Sequence, residues 1–350
     1  MSDDGNAGWR PRTRAVRGGL DRSPHGETSE ALYLSSGFVY DSAEQAEARF
    51  LSADPGFIYS RYGNPTVAMF EERLAQLDGS EACFATASGM AAVFAALMCQ
   101  LQSGGHVVAS RALFGSCHYI LTQLLPRYGI AVDLVDGADL AQWRAAIREG
   151  TTCVFFETPS NPTLDLIDIK AVAELAHGAG ALVVVDNVFS TPILQKPAAY
   201  GADVVVYSGT KHMDGQGRIL GGAVLANQQF IDDNLMQFMR HTGPAMSAFN
   251  AWILLKGLET MELRLDEQCR NAQTIAEMLQ GHAAIERVLY PGLESFPQYA
   301  LAQTQMTAGG SVITFDLRGG KTEAFSFLNA LQIVDISNNL GDAKSLITHP

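Results

Sequence analysis

Val204-Val205-Val206-Tyr207-Ser208-Gly209-Thr210-Lys211-His212 decides how this chain is read: an apolar run stops abruptly at two hydroxyls and a lysine. Twenty-five positions earlier (211 − 186), the run Leu182-Val183-Val184-Val185 ends in Asp186-Asn187. In an open α/β sheet, reactive groups gather at the carboxyl ends of strands, where the loops converge on a crevice. A lysine there, facing an acid on a neighbouring strand, suggests pyridoxal 5'-phosphate (PLP): Lys211 as the Schiff-base amine, Asp186 on the pyridinium nitrogen, Ser208 and Thr210 on the phosphate. Two strands that merely end in solvated polar residues would look the same, so these stretches alone do not choose.

At 350 residues the chain exceeds the usual span of one domain. A hydrophobic share of 47% with only 17% charged residues implies extensive burial, at subunit contacts as well as in the core. The formal net charge of −13 disfavours nucleic acid as a partner, because phosphate backbones are bound by Lys and Arg. A small-molecule enzyme fits better. The five cysteines are odd in number and form no Cys-x-x-Cys pair, which reads as free thiols in a reducing compartment. The eight histidines show no metal-ligand spacing, so no metal is expected, and His212 reads as a packing residue. The start of the chain has no basic stretch followed by an apolar one, and no apolar run reaches membrane-spanning length, so a cytoplasmic protein without membrane contact is expected.

Residues 1–55 are polar and irregular and read as an extended N-terminal arm, whose apolar clusters Ala31-Leu32-Tyr33-Leu34 and Phe38-Val39-Tyr40 need a surface to cover, such as a second subunit. Tyr59-Ser60-Arg61-Tyr62-Gly63-Asn64-Pro65 combines arginine and tyrosine in a manner suited to phosphate. Apolar spacing predicts a helix over 67–77. The small residues Ser88-Gly89-Met90 open another helix, where free N–H groups and the helix dipole can hold a phosphate, or where close packing alone is served. Strands at 107–109, 131–135, 153–157, 182–186, 204–208 and 222–226 alternate with helices near 115–127, 139–148 and 168–179, as in a parallel βαβ sheet. Phe114 follows a strand and could stack on a flat cofactor or fill the core. Asn161 is bracketed by Pro159 and Pro162, where a rigid turn could aim its amide at a ring oxygen. A long helix over 249–265 reads as the link from a large domain, 56–245, to a smaller α/β domain, 246–350.

Taken together, Tyr59-x-Arg61-Tyr62-Gly63-Asn64-Pro65, Ser88-Gly89-Met90, Glu157-x-Pro159-x-Asn161-Pro162, Asp186-Asn187, Ser208-x-Thr210-Lys211 and Gly341-Asp342-Ala343-x-Ser345-Leu346 resemble the Cys/Met-metabolism family of PLP enzymes, from about Thr13 to the last residue. The resemblance implies the aspartate aminotransferase-like fold (PLP fold type I): a large domain with a mostly parallel sheet and a smaller C-terminal α/β domain. It implies that Lys211 carries the cofactor and moves protons, that Asp186 keeps the ring nitrogen protonated, and that Ser88, Gly89, Met90, Ser208 and Thr210 surround the phosphate. It also implies that Phe114 stacks on the ring, Asn161 meets its oxygen, and Tyr59 and Arg61 arrive from a neighbouring subunit. A homodimer would then be needed for each site, and a homotetramer is the expected assembly.

Three departures narrow the expectation. Phe114 stands where many members carry a tyrosine, Ser116 where methionine γ-lyases carry a cysteine, and Asn339, implied to contact substrate, where many carry serine. This pattern is most similar to the branch that replaces the succinyl group of O-succinyl-L-homoserine with sulfide, giving homocysteine for methionine biosynthesis. Cysteine as acceptor, an acetyl ester, or an inactive family member are the alternatives. The sequence given ends at His349-Pro350, before the segment where the family carries an arginine for the substrate carboxylate, so the small domain is expected to be incomplete.

Overall fold

The computed structural model describes residues 8–350. Seven strands, β1 (Ala82–Thr86), β2 (His106–Ser110), β3 (Ala131–Val135), β4 (Thr151–Glu157), β5 (Leu182–Asp186), β6 (Val204–Ser208) and β7 (Gly222–Ala226), form one sheet. Their order is β1-β7-β6-β5-β4-β2-β3. From β3 through β6 every pairing is parallel, and β7 alone runs antiparallel to its neighbours β1 and β6.

The apolar runs are continuous because helices cover both faces of the sheet. Val108, Val154, Val183, Val205 and Tyr207 pack on one side with the helices Pro65–Asp78, Ile169–Gly178 and Ala248–Glu259. Val107, Phe155, Val184, Val204 and Val206 pack on the other, with the helix Gly89–Met98. Side chains alternate along a strand, so Glu157, Asp186 and Ser208, each two residues beyond Phe155, Val184 and Val206, share the face of that helix. The register brings Glu157 level with Asp186 and sets Ser208 two residues beyond them, since Asp186 pairs with Val206.

All six strands expected from sequence are present. Strand β1 was not expected, since Ala-Cys-Phe-Ala-Thr has little β-branched character and merges into the alanine-rich helix that follows. The expected helix over 249–265 is instead two: it breaks at Thr260 (φ −114°, ψ 4°), and Met261–Gln280 begins anew. Apolar spacing runs through the break with no Pro or Gly at that point to mark it. The first of these helices buries Ala251, Leu254, Leu255 and Leu258 in the core of the large sheet.

C-terminal to them, β8 (Ile285–Leu289) and β9 (Thr314–Leu317) form an antiparallel pair. That pair packs with Ala272 and Ala276 of the helix Met261–Gln280. Two short parallel strands, β10 (Asp335–Ile336) and β11 (Leu346–Ile347), frame a segment that returns to the large sheet. In that segment the Ala343 N–H donates to the Gly215 carbonyl at 2.8 Å.

The N-terminal arm is not extended throughout: it contains the helices Pro11–Arg17 and Ala43–Phe50. Ser42 caps the second, its hydroxyl accepting from the Gln45 N–H at 3.2 Å. The first seven residues assigned to the arm lie outside those described. Glu30 anchors the arm through an ion pair to buried Arg73 and another to Lys256. Leu34, Val39, Phe50 and Leu51 remain exposed. Among the described residues no helix is long and apolar enough to cross a membrane.

Candidate active site

Beyond β6 the chain folds back tightly on the start of β7: the Gly209 N–H donates to the Gly221 carbonyl at 2.8 Å and the Gly215 N–H to the Lys211 carbonyl at 2.8 Å. Lys211 therefore sits on a pinned loop. Its Nζ donates to Asn339 Oδ1 at 2.8 Å. Burial lowers its pKa, which favours the neutral amine, the form that attacks a carbonyl carbon or takes a proton. The C-terminal segment is pressed against the same loop. Gly341 has φ +72°, and a Cβ there would lie 2.6 Å from the His212 backbone nitrogen, so both the conformation and the space call for glycine. His212 is buried, with Nε2 2.7 Å from Ser311 Oγ. Burial pushes its pKa down to about 4, so it packs as a neutral ring.

The helix Gly89–Met98 meets the end of β6 at its first residue. A Cβ on Gly89 would lie 2.6 Å from Ser208 Cβ and 2.8 Å from Ser208 Oγ. Ser88 caps the helix, accepting from the Ala91 N–H at 3.2 Å, and the N–H groups of Gly89 and Met90 have no intrahelical acceptor. Two open N–H groups, a helix dipole and the Ser208 hydroxyl thus converge on one spot, a suitable cradle for a phosphate. Thr210 lies alongside, its Oγ1 accepting from the Gly221 N–H at 3.2 Å. Gly89→Ala should separate helix and strand: we expect PLP affinity to fall roughly 10- to 100-fold, corresponding to the ~1–3 kcal/mol of an overpacked contact, measured by titrating cofactor into the apoprotein.

Asp186 is buried and accepts from the Val188 N–H at 3.1 Å. Beside it Glu157, also buried, accepts from the Phe114 N–H at 2.9 Å. Burial raises the pKa of both carboxyls, and the charge of Asp186 raises that of Glu157 further. A buried carboxylate in this position calls for a cation, which a protonated ring nitrogen would supply. From below, Asn187 donates to the Tyr207 hydroxyl at 2.8 Å, and Tyr207 donates to Asp78 at 2.6 Å, tying β5 to β6.

The Phe114 ring is 47% exposed while its backbone is held by Glu157. The turn carrying Asn161 is held by Thr314 of β9, whose hydroxyl donates to the Pro162 carbonyl at 2.6 Å. Tyr59 and Arg61 stand apart. Arg61 donates to the Arg240 carbonyl, its guanidinium 5.5 Å from the centre of the Tyr59 ring and 4.9 Å from that of Tyr62. No hydrogen bond among the described residues joins either to Gly89, Ser208, Thr210 or Lys211. Sequence reasoning named Glu157 only as part of a motif and assigned nothing to Gly341. The contact of Glu157 appears only once β2, β4 and β5 are paired, whereas the Gly341-Asp342 turn was a visible signal.

A lysine on a strand-end loop, a buried acid on the next strand and an anion cradle between them define a class of enzyme built around a bound aldehyde cofactor. The family model of the Cys/Met metabolism PLP-dependent enzymes matches residues 12–350, and the chain belongs to this family. It is a PLP-dependent enzyme of fold type I. It is 57% identical over 342 residues, 97% of this chain and 84% of the relative, to a Mycobacterium tuberculosis protein named O-succinylhomoserine sulfhydrylase. A Pseudomonas aeruginosa protein of the same name is 48% identical over 338 residues, again 97% of this chain and 84% of the relative. The crystal structure of metY from Campylobacter jejuni superposes with a TM-score of 0.94 at 29% identity, covering 98% of this chain and 93% of that one, and it carries a pyridoxyl-lysine phosphate.

Proposed function

We propose that the protein catalyses γ-replacement on O-succinyl-L-homoserine, with sulfide as acceptor, giving L-homocysteine and succinate in methionine biosynthesis. The identity of 57% and 48% to two proteins named for that activity, over 97% of the chain, carries the reading. In the net reaction the Cγ–O bond breaks, succinate leaves with the electron pair, and hydrosulfide forms the new Cγ–S bond.

The residues present fit PLP. When bound, it supplies an electron sink for carbanions formed next to the substrate nitrogen. Lys211 provides the amine that would hold the cofactor and, once released by substrate, a base for the α-proton. Asn339, already the hydrogen-bond partner of that amine, orients it and lies where the substrate would enter. Gly89, Met90, Ser88, Ser208 and Thr210 would grip the phosphate. Asp186 would hold the ring nitrogen protonated, Phe114 would cover the ring, and Asn161 would meet its oxygen. Phenylalanine at 114 stacks without offering a proton, which leaves proton transfer to Lys211. Hydrosulfide is small, so the site needs no second amino-acid pocket.

Among the described residues Tyr59 and Arg61 make no hydrogen bond to this chain's own phosphate cradle, which supports their serving a neighbouring subunit in a homodimer. The exposed Leu34, Val39, Phe50 and Leu51 on the arm support a further, tetrameric assembly, and the free cysteines suit a reducing cytoplasm. Incubating the enzyme with succinylhomoserine and either sulfide or cysteine, then identifying the thiol by mass, tests the assignment. Homocysteine from sulfide should dominate; cystathionine as the main product at equal acceptor concentrations would overturn it.

A further inference from the structure

Glu157 and Asp186 end adjacent parallel strands in direct register, are 3% and 7% exposed, and lie on the same face of the sheet. The charge of Asp186 acts on Glu157, both acids act on the Cys117 thiol, and among the described residues neither acid forms an ion pair. The thiol is itself pushed well above its ordinary range by burial and then by the two acids, so it stays neutral. Two carboxylates in so dry a place do not both ionise.

The contacts of the two acids decide which keeps the proton. Each acid accepts one backbone N–H, Asp186 from Val188 and Glu157 from Phe114, which favours ionisation of both alike. Asp186 alone faces the place where the ring nitrogen would bring a positive charge, and that favours its ionised form over that of Glu157. We propose that Glu157 carries the pair's single proton and acts as a positioning residue: it ties the Phe114 turn to the end of β4 and leaves the negative charge on Asp186. This rests on the placement of the cofactor over Asp186 but not on the identity of ester or acceptor.

The test uses the holoenzyme and two variants. The infrared difference spectrum, wild-type holoenzyme minus Glu157→Gln at neutral pH, should contain the carbonyl band of a protonated carboxylic acid, the subtraction cancelling other raised carboxyls such as Glu71. Glu157→Ala loses the acceptor for the Phe114 N–H and should weaken PLP retention about tenfold, followed by cofactor release on dilution. Glu157→Gln, neutral and able to accept the same bond, should restore retention to within about twofold of wild type. Absence of the band from the difference spectrum, or a Gln variant as leaky as the Ala variant, would each overturn the proposal. If the Ala variant does not fold, the infrared comparison and the retention of the Gln variant still decide. None of these readouts depends on turnover, so a failed product assay would leave them standing.

Discussion

Lys211→Ala should lower kcat/KM for succinylhomoserine by on the order of 10^4-fold or more, the upper range for loss of a positioned proton-transfer group. Two functions disappear together. The amine that would hold the cofactor is gone, and so is the base that takes the α-proton. Neither is replaced from nearby: the adjacent His212 is buried with its pKa pushed down to about 4 and is hydrogen-bonded to Ser311. The protein itself should fold normally, because Lys211 is bonded through its side chain only to Asn339. The measurement pairs steady-state kinetics with the cofactor's absorption spectrum. A variant that kept the lysine-linked absorption of wild type would mean that another residue carries PLP.

Asp186→Asn should cost on the order of 10^2- to 10^3-fold in kcat/KM, comparable to removing one preorganised electrostatic partner from a transition state. The change preserves shape and lets the amide oxygen accept the Val188 N–H, so folding and the phosphate cradle survive. What it removes is the charge proposed to keep the ring nitrogen protonated, and with it the ring's capacity to store electrons. PLP should still bind, since Gly89 and Ser208 are untouched, while α-proton exchange into deuterated water slows in parallel with turnover. Near-normal exchange in Asp186→Asn would remove Asp186 from the role assigned to it.

The large sheet was readable because its runs of valine are long and end sharply: Val204–Tyr207 and Leu182–Val185 mark both the strands and the polar groups at their tips. Lys211 and Asp186 were visible for the same reason. Strand β1 was not, since its alanines and single phenylalanine carry no pattern distinct from the helix after it. Thr260 was hidden by apolar spacing that continues across it. The bond from Phe114 to Glu157 spans 43 positions and depends on which strands become neighbours, something no local pattern encodes. Tyr59 and Arg61 were visible as a motif, and their contacts here are with Tyr62 and Arg240, which no local pattern announced.

The shared face of three strand ends makes the sheet a measuring device. Glu157, Asp186 and Ser208 reach the same face because β4, β5 and β6 each spend an even number of residues after Phe155, Val184 and Val206. A single residue inserted before Asp186 would send its carboxyl into the valine layer on the opposite side and bring an apolar neighbour up to the cofactor. Composition at the tips can therefore drift in this fold, whereas the parity of these three strands cannot, and a relative with an odd-length insertion in one of them would be expected to have lost this chemistry.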